Sequence, residues 1–346
     1  MLCRSDYRDD AMNAGDRVDV LVIGAGLAGC SVGRIMRGSG ASVLIAELRD
    51  AKRKEKLCGG VLSHGAEGFL AQIYGAGMLE ELGALRLDGM DVDVLDKTLP
   101  EPFGGASLPR KRLDDACLRS YLDAGGRLHD RLSLRWIDET AHRACFLDLR
   151  TMREMIVSYG VLVGADGAAS AVRMFATGRI GHAFIAVEGR VDARGERISC
   201  RFEPLVPGLC WYIPNGPDAN VGCLFHGFTA EQCRAKLRAF CEREGYVPGV
   251  LRQALIPEGD DVLLQAGQDI WLVGDAAGLA EAFGGSGMHL ALRSALALCE
   301  SLNGGPSYAS AMQPAIEELA QTARSFQKNY FSTCLLVASK GTLRAW

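Results

Sequence analysis

Four short apolar runs stand out along the chain, and each ends at a glycine or an acidic residue. They are VDVLVIG (18–24), ASVLIAE (41–47), GVLVG (160–164) and IWLVG (270–274). A continuous apolar run of this length is typical of a strand buried on both faces, as in a parallel sheet covered by helices. The pattern therefore predicts an α/β fold built on a parallel sheet.

The middle of the chain shows a different pattern, in which short strand-like runs are separated by turn residues. The runs are AFIAVEGRV (183–191), RISCRFEP (197–204), LCWYIPN (209–215) and ANVGCLFHG (219–227). They predict an antiparallel sheet. The next segment, 231–245, is expected to be a helix with four residues facing inward, namely Ala235, Leu237, Phe240 and Cys241.

These patterns divide the chain into a discontinuous Rossmann-type domain, an inserted antiparallel β-sheet domain and C-terminal helices. We place the boundaries at 17–80, 105–178 and 262–305 for the nucleotide-binding domain, at 81–104 and 179–261 for the substrate-binding sheet domain, and at 306–346 for the C-terminal helical segment. The apolar end of that last segment could cover a cavity or touch a membrane, and we favour a helix packed on the core.

The first apolar run leads into the arrangement G-x-G-x-x-G. Its glycines allow a tight turn, close approach of the backbone to a pyrophosphate, and close helix–strand packing. Glu47 follows the second run, where its carboxylate can bind an adenosine ribose. A glycine-rich turn without a ligand is the alternative, and the motif alone does not separate NAD from FAD. The residues expected at the dinucleotide are Gly24, Gly26, Leu27, Ala28, Gly29, Glu47 and Leu48.

Two later segments, 160–173 and 269–298, again read as a strand, a loop and a helix start. In the second, a glycine loop bares backbone N–H groups at a helix N-terminus, which suits the negative N1–C2=O region of a reduced flavin. Asp275 would bind the ribityl or pyrophosphate part. A capped helix and a glycine-rich elbow are the structural alternatives. The cofactor residues expected here are Asp166, Gly167, Gly274, Asp275, Gly285, Gly287 and Met288.

Composition narrows the classes of function. The 346 residues carry a formal net charge of −4, which argues against a nucleic-acid partner. The 12 cysteines include no C-x-x-C pair, so we expect reduced thiols and no metal site. Residues 1–17 lack the apolar core of a signal peptide, and no apolar run reaches about 18 residues. We therefore expect a cytoplasmic protein with a loose N-terminal tail.

In order and spacing, the three motifs resemble the glutathione-reductase-type flavoproteins of the p-hydroxybenzoate-hydroxylase-like class. The segment LPRKRLDDACL (108–118) is similar to that class's R-x-x-[FL]-D, which would put Arg110 near the flavin. Within the class, K-x-C-G-G marks the geranylgeranyl reductase family, and KEKLCGGVLS (54–63) matches it. The resemblance covers nearly the whole chain and implies FAD as the cofactor.

The same family has an aromatic substrate motif, Y-x-W-x-F-P, which is matched here by Trp211 and Pro214 but carries Leu209 and Ile213 in place of the Tyr and Phe. Its S-P-x-T-G-E-G loop is also changed, because Ala282, Gly284 and Ser286 replace the proline, threonine and glutamate. The resemblance thus implies a conserved type of flavin site beside an altered substrate cavity. The substrate residues it implies are Leu209, Trp211, Ile213 and Pro214.

The resemblance also implies roles for the K-x-C-G-G segment. Gly59 and Gly60 would let the backbone pass against the flat flavin ring, where a side chain would clash. Cys58 would lie at the reactive edge, where its thiol either relays a proton or serves as a small packing group. The catalytic candidates are Cys58, Gly59, Gly60 and Trp211.

The implied activity is reduction of C=C bonds in a polyprenyl lipid by hydride from the reduced flavin and a proton from a nearby donor. Because there is no second G-x-G-x-x-G, NAD(P)H or ferredoxin would act as a transient electron donor. An apolar lipid substrate would imply peripheral contact of the protein with a membrane. Two alternatives stay open: a flavin monooxygenase or halogenase of an aromatic substrate, and a flavin electron carrier without turnover. The oligomeric state is not indicated.

Overall fold

The computed structural model describes residues 17–95, 97–282 and 284–340, so the predicted N-terminal tail and the end of the predicted C-terminal segment, 341–346, lie outside it. The strands are β1 Arg17–Ile23, β2 Val43–Ala46, β3 Val61–Ser63, β4 Leu85–Leu87, β5 Gly89–Val94, β6 Lys97–Glu101, β7 Gly105–Ser107, β8 Arg127–His129, β9 Leu132–Asp138, β10 Arg143–Asp148, β11 Arg153–Gly164, β12 Ala183–Val191, β13 Arg197–Phe202, β14 Gly208–Pro214, β15 Ala219–Phe225, β16 Arg252–Pro257, β17 Gln265–Gly267 and β18 Ile270–Leu272.

The helices are α1 Leu27–Gly38, α2 His64–Tyr74, α3 Met78–Glu81, α4 Arg110–Asp123, α5 Ala171–Thr177, α6 Ala230–Glu244, α7 Met288–Leu302 and α8 Tyr308–Lys340, with a 3₁₀ turn at Gly274–Ala277.

The first sheet has the parallel strand order β18-β11-β1-β2-β8. β17 extends it at one edge, and an antiparallel ribbon of β9 and β10 joins it through β11. Helix α1 packs against both α4 and α7. The residues of β2 are all buried, as expected for strands covered by helices on both faces. The predicted α/β fold with a Rossmann-type sheet is therefore confirmed.

The second sheet has the order β16-β12-β15-β14-β13-β5-β6. Its strands are antiparallel except for β5 and β13, which run parallel, so the sheet is mixed where antiparallel pairing was predicted. The reason is that β5 comes from an earlier part of the chain and reaches β13 by a long connection. A third, small sheet has the strand order β3-β7-β4.

The two faces of the second sheet are covered differently. Helix α6 packs on one face, where Tyr212 of β14 lies in a cluster with Cys233 and Leu237. The helix was predicted, but Ala235 is exposed and Cys233 is buried in its place, so that inward assignment was wrong by half a turn. The other face carries Leu209 and Trp211 and looks towards the first sheet, because successive side chains of a strand alternate.

Helix α8 links the two sheets. The Tyr308 hydroxyl donates to the Leu272 carbonyl of the first sheet at 2.9 Å, and the Tyr330 hydroxyl donates to the Gly208 carbonyl of the second at 2.7 Å. Buried Ala323 and Cys334 pack in the cluster on the Trp211 face. Among the described residues, no helix combines the length and the apolar character needed to cross a membrane.

Candidate active site

A cavity of about 640 Å³ lies between the first and second sheets, and most of the predicted site residues line it. One half of its wall consists of glycine loops and helix N-termini, and the other half is the apolar face of the second sheet. The predicted residues on the wall are Gly24, Gly26, Leu27, Ala28, Glu47, Leu48, Cys58, Gly59, Gly60, Arg110, Asp166, Gly167, Leu209, Trp211, Ile213, Asp275, Gly285, Gly287 and Met288.

Three predicted residues do not line the cavity. Gly29 packs behind it, since a Cβ there would collide with the Gly24 carbonyl. Gly274 is wedged between α1 and α7, and its N–H donates to Ser294 Oγ at 3.0 Å. The alternation of β14 turns Pro214 to the opposite face from Trp211. All three therefore differ from the expected direct contact with cofactor or substrate.

The turn between β1 and α1 leaves room for a ligand. Gly24 has φ +102°, a conformation that favours glycine, and a Cβ on it would collide with the backbone of Ala165. Gly26 is different, because a Cβ there would meet no atom within 4 Å. No side chain caps the start of α1, so no capping side chain accepts from its first N–H groups, which face the cavity. This is the geometry of an anion site.

Glu47 is held rigidly beside this turn. Its carboxylate accepts from the Ala25 and Arg49 N–H groups at 2.9 Å each and pairs with the Lys54 ammonium at 3.1 Å. The side chains of both Glu47 and Lys54 are 7% exposed. Burial raises the pKa of the Glu47 carboxyl, but Lys54 and the two N–H donors outweigh it and lower the pKa overall.

We expect Glu47→Gln to lower the free energy of unfolding by about 3 kcal/mol, because it leaves the buried Lys54 charge without its partner. Adding Lys54→Met should recover about 2 kcal/mol, since the double variant buries no unpaired charge. Urea unfolding of wild type, the single variant and the double variant measures both numbers. The wild-type contribution is full above the ordinary Glu pKa of about 4.3 and is lost as the pH falls through the lowered value. Equal losses in the single and double variants would contradict this account.

A second acidic side chain lies at the start of α5. Asp166 Oδ2 accepts from the Ala171 N–H at 2.7 Å, so the predicted capping role is present. Its other oxygen, Oδ1, is buried and has no hydrogen-bond partner among the described residues. Burial raises the pKa of this carboxyl. An unpartnered acceptor on the cavity wall fits a ligand hydroxyl.

The third part of the cofactor half is the glycine loop before α7. No side chain caps α7 at Gly287, so the N–H groups from Met288 onward open into the cavity. Asp275 lies beside them and pairs with Lys56 at 2.6 Å. Together with the open space at Gly26 and the free Asp166 oxygen, this donor set fits FAD, with anionic groups at both helix N-termini.

The C-G-G turn lies where the two halves of the cavity meet. Gly60 has φ +81°, and a Cβ on it would collide with the Leu108 carbonyl. A Cβ on Gly59 would collide with the Ile213 side chain of the second sheet. Gly60 is thus required by its φ and by the close backbone approach, whereas at Gly59 the end of the flexible Ile213 side chain is the atom that would have to move.

Cys58 is positioned by this turn and by its neighbours. Its backbone N–H donates to Glu188 Oε1 at 3.0 Å. Its thiol lies against the Arg110 guanidinium, which is buried and pairs with Asp114 at 2.9 Å. Burial opposes the Arg110 charge, but Asp114 and Cys58 outweigh it and raise the pKa of Arg110. The geometry is compatible with either role that the sequence left open for Cys58.

The apolar half of the cavity is formed by alternate residues of the second sheet. Leu209, Trp211 and Ile213 all point into it from β14, whereas Tyr212 points away and stacks on Tyr246 at 5.1 Å between ring centres. Trp211, which the resemblance implies as a substrate residue, thus faces the cavity. The Trp211 indole N–H donates to Asn220 Oδ1 at 2.7 Å.

Sequence reasoning missed several polar residues of the site. Lys54 holds Glu47, and Glu188 and Glu281 line the cavity, whereas Lys56, which lies in the predicted K-x-C-G-G motif, pairs with Asp275. The sequence does contain a hint of Glu188, because it lies two residues after Ala186 and therefore on the same face of β12. That hint can be used only once the cavity-facing side of β12 is known.

Comparisons with known proteins agree with this geometry. The chain is 26% identical to the menaquinone reductase of Mycolicibacterium smegmatis over 334 residues, which covers 87% of this chain and 81% of that protein. It is 24% identical to digeranylgeranylglycerophospholipid reductase 2 of Methanosphaera stadtmanae over 80% of this chain and 75% of that protein. No protein-family model matches the chain.

Solved structures share the fold at low identity. A geranylgeranyl bacteriochlorophyll reductase-like protein from Thermoplasma acidophilum superimposes with a TM-score of 0.72 and 18% identity, covering 95% of this chain and 88% of that one. The myxobacterial chondrochloren halogenase, an FAD-dependent enzyme, superimposes with a TM-score of 0.68 and 20% identity, covering 93% and 82%. The fold is therefore one that reductases and halogenases both use.

Proposed function

We propose that this protein is an FAD-dependent oxidoreductase of the geranylgeranyl reductase type, which reduces C=C bonds in the isoprenoid chain of a lipid. One observation carries the proposal: the cofactor half of the cavity opens directly onto an apolar half at the C-G-G turn. An isolated alkene has no polar handle, so such an enzyme must bind its substrate by apolar contact and position the bond beside the flavin.

The relatives support a lipid substrate. Menaquinones and digeranylgeranylglycerophospholipids differ in their head groups but both carry isoprenoid chains, and both relatives are named as reductases. The apolar wall here is formed mainly by aliphatic side chains, with one thiol, one phenyl ring and one indole, and it offers few polar groups for a polar aromatic substrate. Its members from β13, β14 and β16 are Ile198, Cys200, Phe202, Leu209, Trp211, Ile213, Ala254, Leu255 and Ile256.

The residues of this chain have distinct parts in the reaction. When bound, FAD supplies the hydride that adds to one alkene carbon. The N–H groups at Met288 stabilise negative charge at that end of the cavity. Gly59 and Gly60 keep the wall flat beside the ring, and the apolar residues exclude water and orient the chain.

The same proposal covers the partners that the sequence suggested. The electron donor is NAD(P)H or ferredoxin acting transiently, and the protein is cytoplasmic with peripheral membrane contact where it meets its lipid. The exposed Phe331 and Leu335 of α8 are apolar side chains that such contact would use.

The test is product analysis by mass spectrometry after incubation of the flavin-loaded protein with isoprenoid lipids, a chemical reductant and ¹⁸O₂. A gain of two hydrogens supports the reductase. A gain of ¹⁸O would favour the monooxygenase alternative, and reduction of the flavin without any product from a panel of prenyl lipids would favour the electron carrier.

A further inference from the structure

One ionisable side chain interrupts the apolar face of the second sheet. Strand β12 presents Ala186 and Glu188 to the cavity, while Val187 between them faces the α6 side. A carboxyl group among apolar residues is costly unless it is partnered or functional. Glu188 stands one hydrogen bond from the C-G-G turn, where the cofactor and substrate halves meet.

Glu188 belongs to a chain of hydrogen bonds that crosses the junction. Its Oε1 accepts from the Cys58 N–H at 3.0 Å, and the Asn220 side chain also hydrogen-bonds to the carboxyl. Asn220 in turn accepts from the Trp211 indole at 2.7 Å. The carboxyl is therefore fixed in place between the proposed flavin edge at Cys58 and the proposed substrate wall at Trp211.

Three other carboxylates of the cofactor half are engaged in ion pairs, and a fourth, Asp166, lies at the start of α5, where it accepts from the Ala171 N–H. Glu47 pairs with Lys54, Asp275 with Lys56 and Asp114 with Arg110. An ionised carboxylate in an ion pair is a poor proton donor.

Several groups act on the ionisation of Glu188. Burial raises its pKa to about 6, although the Cys58 N–H, Asn220 and the Arg190 charge oppose this and Glu55 adds to it. Arg252 of β16 also interacts with the carboxyl. A group that titrates near 6 holds a proton in a useful fraction of molecules at neutral pH. A flavin and a lipid in the cavity would displace water and shift the balance further towards the protonated acid.

We propose that Glu188 is the acid that delivers the proton to the alkene, an assignment that rests on the proposed reductase function. The reduced flavin supplies a hydride and its electron pair to one carbon of the C=C bond. The π electrons of that bond take the proton of the Glu188 carboxylic acid at the other carbon. The O–H electron pair stays on Glu188 as a carboxylate, which the Cys58 N–H and Asn220 stabilise, and water restores the proton.

The experiment compares wild type, Glu188→Gln, Glu188→Asp and the surface control Glu203→Gln in anaerobic single turnover across pH. Glu203 pairs with Lys236 away from the cavity. The wild-type rate should fall about tenfold per pH unit above its apparent pKa. Glu188→Gln should react at least about 100-fold more slowly, and its rate should not show this decline with pH, called the pH limb below. Its flavin spectrum should be unchanged. Glu188→Asp keeps an acid and should retain a slower rate with the limb present.

A measurement without turnover accompanies it. Carboxyl ¹³C NMR of protein labelled at glutamate should show one resonance that titrates near pH 6 and is absent in Glu188→Gln. If wild type makes product and Glu188→Gln makes it equally fast, or if Glu281→Gln alone removes the pH limb, the assignment to Glu188 is wrong and the reductase function stands. If wild type makes no reduced lipid, the reductase function fails, and the proton-donor role of Glu188 fails with it. Should Glu188→Gln not fold, an Asp variant that matches wild type in rate and pH limb overturns the assignment.

Discussion

Gly26→Val is expected to give a folded protein that purifies without flavin. A Cβ at Gly26 meets no protein atom within 4 Å, and the φ of −80° there suits any residue, so the fold has no reason to resist the change. The new side chain would instead fill the space beside the uncapped start of α1, where the phosphates of the cofactor belong. We expect the affinity for FAD to fall at least about 100-fold, or roughly 2.7 kcal/mol.

Flavin absorbance of the purified protein and a titration of the apoprotein with FAD measure this loss. The free energy of unfolding of the apoprotein should change by less than about 1 kcal/mol. Gly68→Ala is the matched control, because Gly68 lies in α2, away from the cavity wall, and also has open space at its Cβ. Normal flavin binding by Gly26→Val would mean that the phosphates lie elsewhere.

Ala254→Phe is expected to abolish turnover of long isoprenoid chains while leaving the flavin in place. Ala254 lines the apolar half of the cavity from β16, opposite Ala186 in the strand register. An aromatic ring added there occupies volume that the lipid chain needs, but it lies on the sheet side and not at the helix N-termini. We expect kcat/KM for the lipid to fall about 100-fold, with flavin content unchanged.

The neighbouring residue supplies the control for this variant. Gln253→Phe adds the same ring on the same strand but on the opposite face, where Gln253 is exposed and accepts a hydrogen bond from Arg234. It should keep near wild-type turnover. If both variants lose activity equally, the effect is on β16 itself and the cavity assignment is contradicted. If neither does, the lipid does not bind along this wall.

The parts of the fold that the sequence predicted are those fixed by local chemistry. The buried strands and the glycine turn at Gly24 show in the residue pattern because close backbone approach permits few alternatives. Strand alternation predicts that Trp211 and Tyr212 face opposite sides of the sheet, and the family resemblance pointed to Trp211 as the one in the cavity.

The features that the sequence did not predict depend on contacts between distant segments. Lys56 reaches Asp275 across 219 residues, and Cys58 meets Glu188 across 130. The parallel pairing of β5 with β13 likewise joins two segments whose order in the sheet no local pattern fixes. The wrong inward assignment of Ala235 shows the limit of helical periodicity, which fixes a spacing but not which stripe of a small helix faces the sheet.

The most direct test of the reductase account is an anaerobic half-reaction followed by absorbance. The flavin-loaded protein is reduced stoichiometrically with dithionite and mixed, without oxygen, with an isoprenoid lipid. The account predicts that the oxidised flavin band near about 450 nm returns and that one equivalent of lipid gains two hydrogens. A flavin that stays reduced with every isoprenoid lipid until air is admitted would contradict the account.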